Sequence, residues 1–226
     1  VTPVWRYELK FTFGNWWLAQ ARTWVRLHPA GLVVAYPPRR VNSLYFDTPW
    51  LSSLNSNLAG VTIRHKLRWR WYGDDLTHIQ PHLEVKHKQN MLGFKEQFDL
   101  PVAVDMTRPW AAILSDLRSY VPLRWAFFMR TMSQPTLLNH YWREYYVTPD
   151  NAIRVTLDYA QVAYDQRYGL RPNLRALLPL DDLVVIEVKA DQDQLDRVRE
   201  IVSQFPVPRS RNSKYANGML AALTAT

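Results

Sequence analysis

An α+β fold, strand-rich and mostly antiparallel, is predicted by two patterns in the sequence. Apolar and charged residues alternate with period two in six separate segments, and between them lie stretches whose apolar residues repeat at helical spacing. A length of 226 residues, with 47% hydrophobic and 21% charged side chains, suits one globular domain over residues 1–226 and excludes a disordered chain.

From Trp5 to Phe11 the residues Trp5, Tyr7, Leu9 and Phe11 alternate with Arg6, Glu8 and Lys10, a strand with one apolar and one charged face. Asn15 to His28 follows as a helix, because Trp17, Ala21, Trp24, Val25 and His28 fall on one stripe. Arg39-Arg40 after Pro37-Pro38 reads as a surface loop. Val61 to Tyr72 is the strongest strand: Arg64, Lys66, Arg68 and Arg70 share one face, and Ile63, Leu67, Trp69 and Trp71 the other. His82 to Lys88 sets Glu84, Lys86 and Lys88 against Leu83 and Val85, and Phe94 to Leu100 sets Lys95, Gln97 and Asp99 against Phe94 and Phe98. A less regular helical region covers Trp110 to Tyr120 and continues past Pro122 to Met129. Two more strands follow: Ile153, Val155 and Leu157 oppose Arg154, Thr156 and Asp158, and Val184, Ile186 and Val188 oppose Val185, Glu187 and Lys189. Leu195, Val198, Ile201, Val202 and Phe205 form a second helical stripe, with Asp191 and Asp193 placed to cap it, and Ser213 to Leu223 is a short C-terminal helix.

Composition narrows the chemistry. The chain has no cysteine, which removes disulfides, thiolate metal sites and cysteine nucleophiles. No apolar run approaches the ~20 residues that span a bilayer, and Val1-Thr2-Pro3 begins the chain without Met or a signal-like core, so a trimmed, cytoplasmic domain is expected. The surplus of 28 Lys plus Arg over 20 Asp plus Glu, a net charge of +8, points to an anionic partner. Six histidines include no HxH pair, and imidazole-bound zinc is not expected. Seven glycines include no GxxxxGK loop, so phosphate must be held by side chains rather than by a backbone cradle.

The row Arg64, Lys66, Arg68 and Arg70 is the informative feature. Two unit charges about 6 Å apart repel by roughly 3 kcal/mol at an effective dielectric of about 20. A sheet gains nothing from such a row, whereas a polyanion held by it would offset the repulsion. Glu8, Glu84, Asp99, Asp158 and Glu187 on the same faces serve as counter-charges or hold a divalent cation. Alternation leaves two geometries open: an open sheet with its charged face in solvent, or a closed one with the charges inside.

An ordered set of segments carries a resemblance. Arg6-Tyr7-Glu8-Leu9-Lys10-Phe11, Val41-Asn42-Ser43-Leu44-Tyr45-Phe46-Asp47-Thr48-Pro49, Arg68-Trp69-Arg70-Trp71-Tyr72-Gly73, Leu83-Glu84-Val85-Lys86, Glu187-Val188-Lys189 and Ser213-Lys214-Tyr215 together resemble the catalytic domain of the VTC (vacuolar transporter chaperone) family, a branch of the triphosphate tunnel metalloenzymes. The resemblance implies a closed antiparallel β-tunnel of about eight strands with a basic interior and helices outside. It implies a polyphosphate polymerase that transfers the γ-phosphate of ATP to a growing chain with Mn2+ or Mg2+, with membrane partner subunits possible. By the same resemblance Lys10, Arg68, Arg70, Lys86, Lys95, Arg143, Arg154 and Lys214 grip phosphates, Tyr141, Ser213, Lys88, Lys66 and Lys189 complete the binding surface, and Glu187 holds the metal. Lys88 stands where the family pattern has a histidine, and Arg6 replaces the first Glu of the Glu-x-Glu-x-Lys of the adenylyl cyclase and thiamine-triphosphatase branch.

Other functions share these residues. A tripolyphosphatase or a non-catalytic polyphosphate or nucleotide sensor would carry nearly the same lining. A nucleic-acid module would present aromatics and cations on one face, and here they alternate to opposite faces, which argues against it.

Overall fold

The computed structural model describes residues 4–225; Val1, Thr2, Pro3 and Thr226 lie outside the described residues. Its centre is a closed eight-stranded barrel. The strands are β1 (Arg6–Gly14), β2 (Val33–Asp47), β3 (Ile63–Tyr72), β5 (His82–Gln89), β6 (Leu92–Asp99), β8 (Gln134–Val147), β9 (Ile153–Asp165) and β10 (Leu183–Asp191). They close in the order β1-β10-β9-β8-β2-β3-β5-β6, every pair antiparallel. The short strands β4 (His78–Ile79) and β7 (Val104–Asp105) form a separate pair. Closure decides which geometry the alternating faces adopt: one face of each strand lines the barrel and the other takes the packing.

Six helices clad the barrel: α1 (Leu18–Leu27), α2 (Ser52–Leu58), α3 (Trp110–Leu117), α4 (Leu123–Thr131), α5 (Leu195–Ser203) and α6 (Lys214–Thr224). Leu67, Trp69, Leu83 and Val85, the apolar faces of β3 and β5, are fully buried against Ile113, Leu117 and Trp125 of α3 and α4. Each such side chain contributes about 1.5–3 kcal/mol relative to exposure. Leu9, Phe11, Val155, Ile186 and Val188 pack with Ala21 and Val25 of α1 and Val198 and Ile201 of α5. A third cluster joins Tyr45 and Leu137 to Tyr215, Ala216 and Met219, which seats α6 across one end of the barrel. Gly218 permits that approach, since a Cβ there would lie 2.5 Å from Leu137 Cδ2.

Three local expectations are corrected. The Pro37-Pro38-Arg39-Arg40 segment is not a loop but part of β2, and its register on β8 shifts between Val34 and Tyr36 and again between Tyr36 and Arg39. The prolines, unable to donate to a ladder, sit in that irregularity. The helical region from Trp110 divides into α3 and α4, with Pro122 as the N-cap of the second. Neither Asp191 nor Asp193 caps α5: Asp191 accepts from Arg6 Nε at 2.8 Å, and α5 is entered through a 3-10 turn with no side-chain cap. Among the described residues no helix is long and apolar enough to cross a membrane.

Candidate functional site

The inward faces enclose a cavity of about 560 Å³ lined by twelve Lys and Arg side chains and by two carboxylates, Glu8 and Glu187. The ladders generate this density. Register pairs Arg64 with Lys88, Lys66 with Lys86 and Arg68 with Glu84 across β3 and β5, and sets Lys10 beside Glu187 and Glu8 beside Lys189 across β1 and β10. All four cations of the Arg64–Arg70 row line the cavity, as do Lys10, Lys86, Lys88, Tyr141, Arg143, Glu187, Lys189, Ser213 and Lys214.

Deeper in, the cations are compensated. Glu8 takes Lys86 Nζ at 2.5 Å and Lys10 Nζ at 3.1 Å. Glu187 takes Lys189 at 3.1 Å, Arg143 at 3.3 Å and Lys10 at 3.5 Å. Arg143 donates Nε to Asp158 Oδ1 at 2.5 Å and a terminal nitrogen to Oδ2 at 2.6 Å, and Lys214 reaches the same Oδ2 at 2.6 Å. Behind the lining, the fully buried Glu84 accepts two bonds from Arg68, at 2.6 and 2.9 Å, which makes it a counter-charge. Arg70 donates to Ser43 Oγ at 3.1 Å and Tyr141 Oη at 3.3 Å.

Burial alone would push Glu8 up, but Lys86 and Lys10 outweigh it and hold the carboxyl well below its ordinary range. Burial and Glu8 likewise push Glu187 up, yet Lys189 and Lys10 keep it lowered. Lys66, Lys86 and Lys88 absorb the cost. Burial pulls Lys86 down to about 8 despite Glu8, and burial with neighbouring lysines pulls Lys88 to about 8. Lys66 is lowered well below its ordinary value by burial, Lys86 and Lys10.

The N-terminus of α6 also faces the cavity. Ser213 is its N-cap, accepting from Ala216 N at 3.2 Å, and the same Oγ accepts Lys66 Nζ at 2.7 Å. The positive end of the helix and Lys214 therefore act on one space. The adjoining turn is fixed by a residue that the sequence does not mark: buried Asp47 accepts from Thr48 N, Ser53 N, Leu54 N and Tyr215 Oη at 2.6–3.0 Å.

Two expected site residues, Lys95 and Arg154, are not brought into the lining, and neither is Arg6 of the first strand's charged face. Lys95 is half exposed, held by Glu84 at 2.7 Å and Gln97 at 3.0 Å. Arg154 is exposed, and Arg6, its side chain 54% exposed, pairs with Asp191. Arg209 and Arg211, on the segment leading into α6, do line the cavity. Sequence reading missed them because they lie outside any strand, where alternation gives no face.

Glu8 and Glu187 fit a hard divalent cation. Both line the cavity and share the Lys10 ammonium, at 3.1 and 3.5 Å, and Glu8 Oε1 is buried without a hydrogen bond. No group of three or more His, Cys, Asp or Glu ligands occurs among the described residues, so Glu8 and Glu187 are the lining carboxylates that would hold a cation here.

A closed β-barrel whose interior is basic and whose helices pack outside defines the triphosphate-tunnel class of fold. Within it, the VTC domain matches residues 6–223, and the chain belongs to that family. The fold is similar to that of a putative adenylyl cyclase from Hippeastrum described as having a dominant triphosphatase activity, at 14% identity, a TM-score of 0.53, and 94% and 93% of the two chains covered. It is also matched by the PH1819 protein of Pyrococcus horikoshii OT3, at 12% identity, a TM-score of 0.49 and 96% and 99% coverage. A putative adenylate cyclase from Vibrio parahaemolyticus matches at 13% identity, a TM-score of 0.49 and 94% and 96% coverage. No curated protein matches the chain significantly.

Proposed function

We propose that this domain is a phosphoryl-transfer enzyme that lengthens inorganic polyphosphate from the γ-phosphate of ATP inside the barrel, assisted by Mn2+ or Mg2+. The observation that carries this reading is the charge imbalance of the site, twelve lining cations against Glu8 and Glu187 in the lining and Glu84 and Asp158 behind it. A linear phosphate chain supplies the missing negative charge along the cavity, and membership of the VTC family supports the same substrate class.

Phosphoryl transfer through a loose transition state needs neutralised oxygens and an in-line arrangement more than covalent help. Arg143, held by Asp158 and Glu187, and Arg70, held by Ser43 and Tyr141, can offer their remaining guanidinium N–H groups to phosphate oxygens, while Lys10, Lys66, Lys86 and Lys214 act as compact charges. Arg68, tied to Glu84, gives one edge of its guanidinium to the acid and turns toward the cavity beside Tyr45. Glu8 and Glu187 would hold a divalent cation, which would supply charge neutralisation to phosphate oxygens. Both carboxylates are weak bases, because their lysines hold them ionised. That favours an acceptor that is already an ionised phosphate over a water that must be deprotonated. Hydrolysis of triphosphate is the second reading, supported by the activity ascribed to the Hippeastrum protein of similar fold.

Incubation with ATP and Mn2+ followed by gel electrophoresis separates the two. A ladder of long phosphate chains is expected; orthophosphate alone from tripolyphosphate would establish the hydrolase, and binding without turnover a sensor.

A further inference from the structure

The two ends of the cavity differ in electrostatic design. Of the deep cations, Lys10, Arg68, Lys86, Arg143, Lys189 and Lys214 share Glu8, Glu187, Asp158 or Glu84, and Lys66 is held by Ser213 Oγ. The mouth is formed by the loop between α2 and β3, the β5–β6 turn at Asn90 and Met91, and the segment from Arg209 to Ser213. Here Arg64, Arg209 and Arg211 join the lining, and no carboxylate lines this end. Neither Arg64 nor Arg211 makes an ion pair or side-chain hydrogen bond among the described residues, and Arg209 touches only Met91 Sδ, at 3.0 Å. Arg64 sits close enough to Arg211 to be depressed by it after burial.

The segment is held in place rather than loosely draped. Ser210 N donates to Lys10 O at 2.8 Å, Thr12 Oγ1 and Ser210 Oγ lie 2.7 Å apart, and Lys10 Nζ donates to Asn212 O at 3.0 Å. These bonds tie it to β1, so Arg211 is kept near Arg64 despite their repulsion, with Arg209 lining the same cavity. Among like charges without counter-ions, a fixed arrangement costs free energy that an anion recovers.

We infer that Arg64, Arg209 and Arg211 form a second, outer anion site that takes the distal phosphates of a linear polyphosphate longer than the deep cations can hold. The inference rests on the proposed function and deepens it, because it makes the preferred ligand a long chain rather than a triphosphate. No aromatic ring lines this end to stack a nucleobase; its apolar contacts are Leu58, Val61, Met91 and Leu220.

The test compares affinities of tripolyphosphate, ATP and a polyphosphate of several tens of units for the wild type and for Arg64→Gln/Arg211→Gln, by calorimetry at low salt. Arg211 is exposed and Arg64 half-buried with no hydrogen bond to lose, so the variant is expected to fold, and a melting curve checks it. The expected result is a loss of about tenfold for the long chain, equivalent to about 1.4 kcal/mol, and of less than threefold for tripolyphosphate and ATP. Equal losses for all three ligands, or no loss for any, would overturn the outer site. A loss confined to ATP would reassign it to the nucleotide. Failure of the wild type to bind tripolyphosphate would instead count against the proposed function itself, independently of the ratio between variants.

Discussion

Single residues in this molecule do two jobs at once. Lys214 neutralises Asp158 and points the start of α6 at the cavity. Arg143 stays on Asp158 when Lys214 is removed, so Lys214→Ala is expected to abolish turnover, a fall of at least a hundredfold, with a melting temperature within about 2 °C of wild type. Steady-state phosphate transfer and a thermal scan check both halves. Asp47 is the opposite case, a carboxylate with four hydrogen bonds and no exposure to the cavity. Asp47→Ala strands three backbone donors and the Tyr215 hydroxyl and is expected to cost about 3 kcal/mol, a drop of roughly 10 °C in Tm. The role of Asp47 was hidden in the sequence, because its partners, six, seven and 168 residues away, are set by a turn and by tertiary contact. Arg64, Lys66, Arg68 and Arg70 were legible because a strand writes its two faces into alternate positions.

At the scale of elements, α6 is the piece on which the site depends. It brings Ser213 and Lys214 to the cavity only because Gly218 lets the helix lie against Leu137. Gly218→Ala places a methyl against a fully buried side chain and is expected to cost about 1–3 kcal/mol, with loss of activity larger than the loss of stability predicts. Unfolding in urea and kcat on the same protein separate the effects. β9 carries a local irregularity beside the site: Ala160 has φ +50, and the register on β8 slips between His140 and Trp142, at Tyr141. Alternation predicted β1, β3, β5, β6, β9 and β10 but not β2 or β8. β8 is buried on both faces, under the helices outside and against α6 and the cavity within, so it carries no polar stripe to read.

For the whole molecule, closure turns net charge into stored repulsion. Lys86 and Lys88 titrate near 8 in the folded protein, below the ordinary 10.5. Between those values the unfolded chain holds more protons, so the stability of the ligand-free domain is expected to rise as pH goes from about 8 to about 10. Tripolyphosphate favours the charged lysines, so its binding should take up protons at pH 9 and weaken as pH rises; calorimetry in buffers of different ionisation enthalpy measures the uptake. At pH 7 saturating tripolyphosphate should raise Tm by roughly 5–10 °C, and no shift would contradict an anion-filled cavity.

The ring has one thin joint. Seven of its eight junctions pair six or more residues, but among the described residues β1 meets β6 at two pairs, Arg6 with Gly93 and Tyr7 with Leu92. Repulsion between the lining cations acts as an outward pressure, and in a hoop under pressure the tension is the same at every joint. The load therefore falls hardest on a clasp of two residue pairs, flanked on β6 by the exposed Lys95, Gln97 and Asp99. An anion in the bore is then more than a ligand: by slackening the hoop it braces the clasp from within.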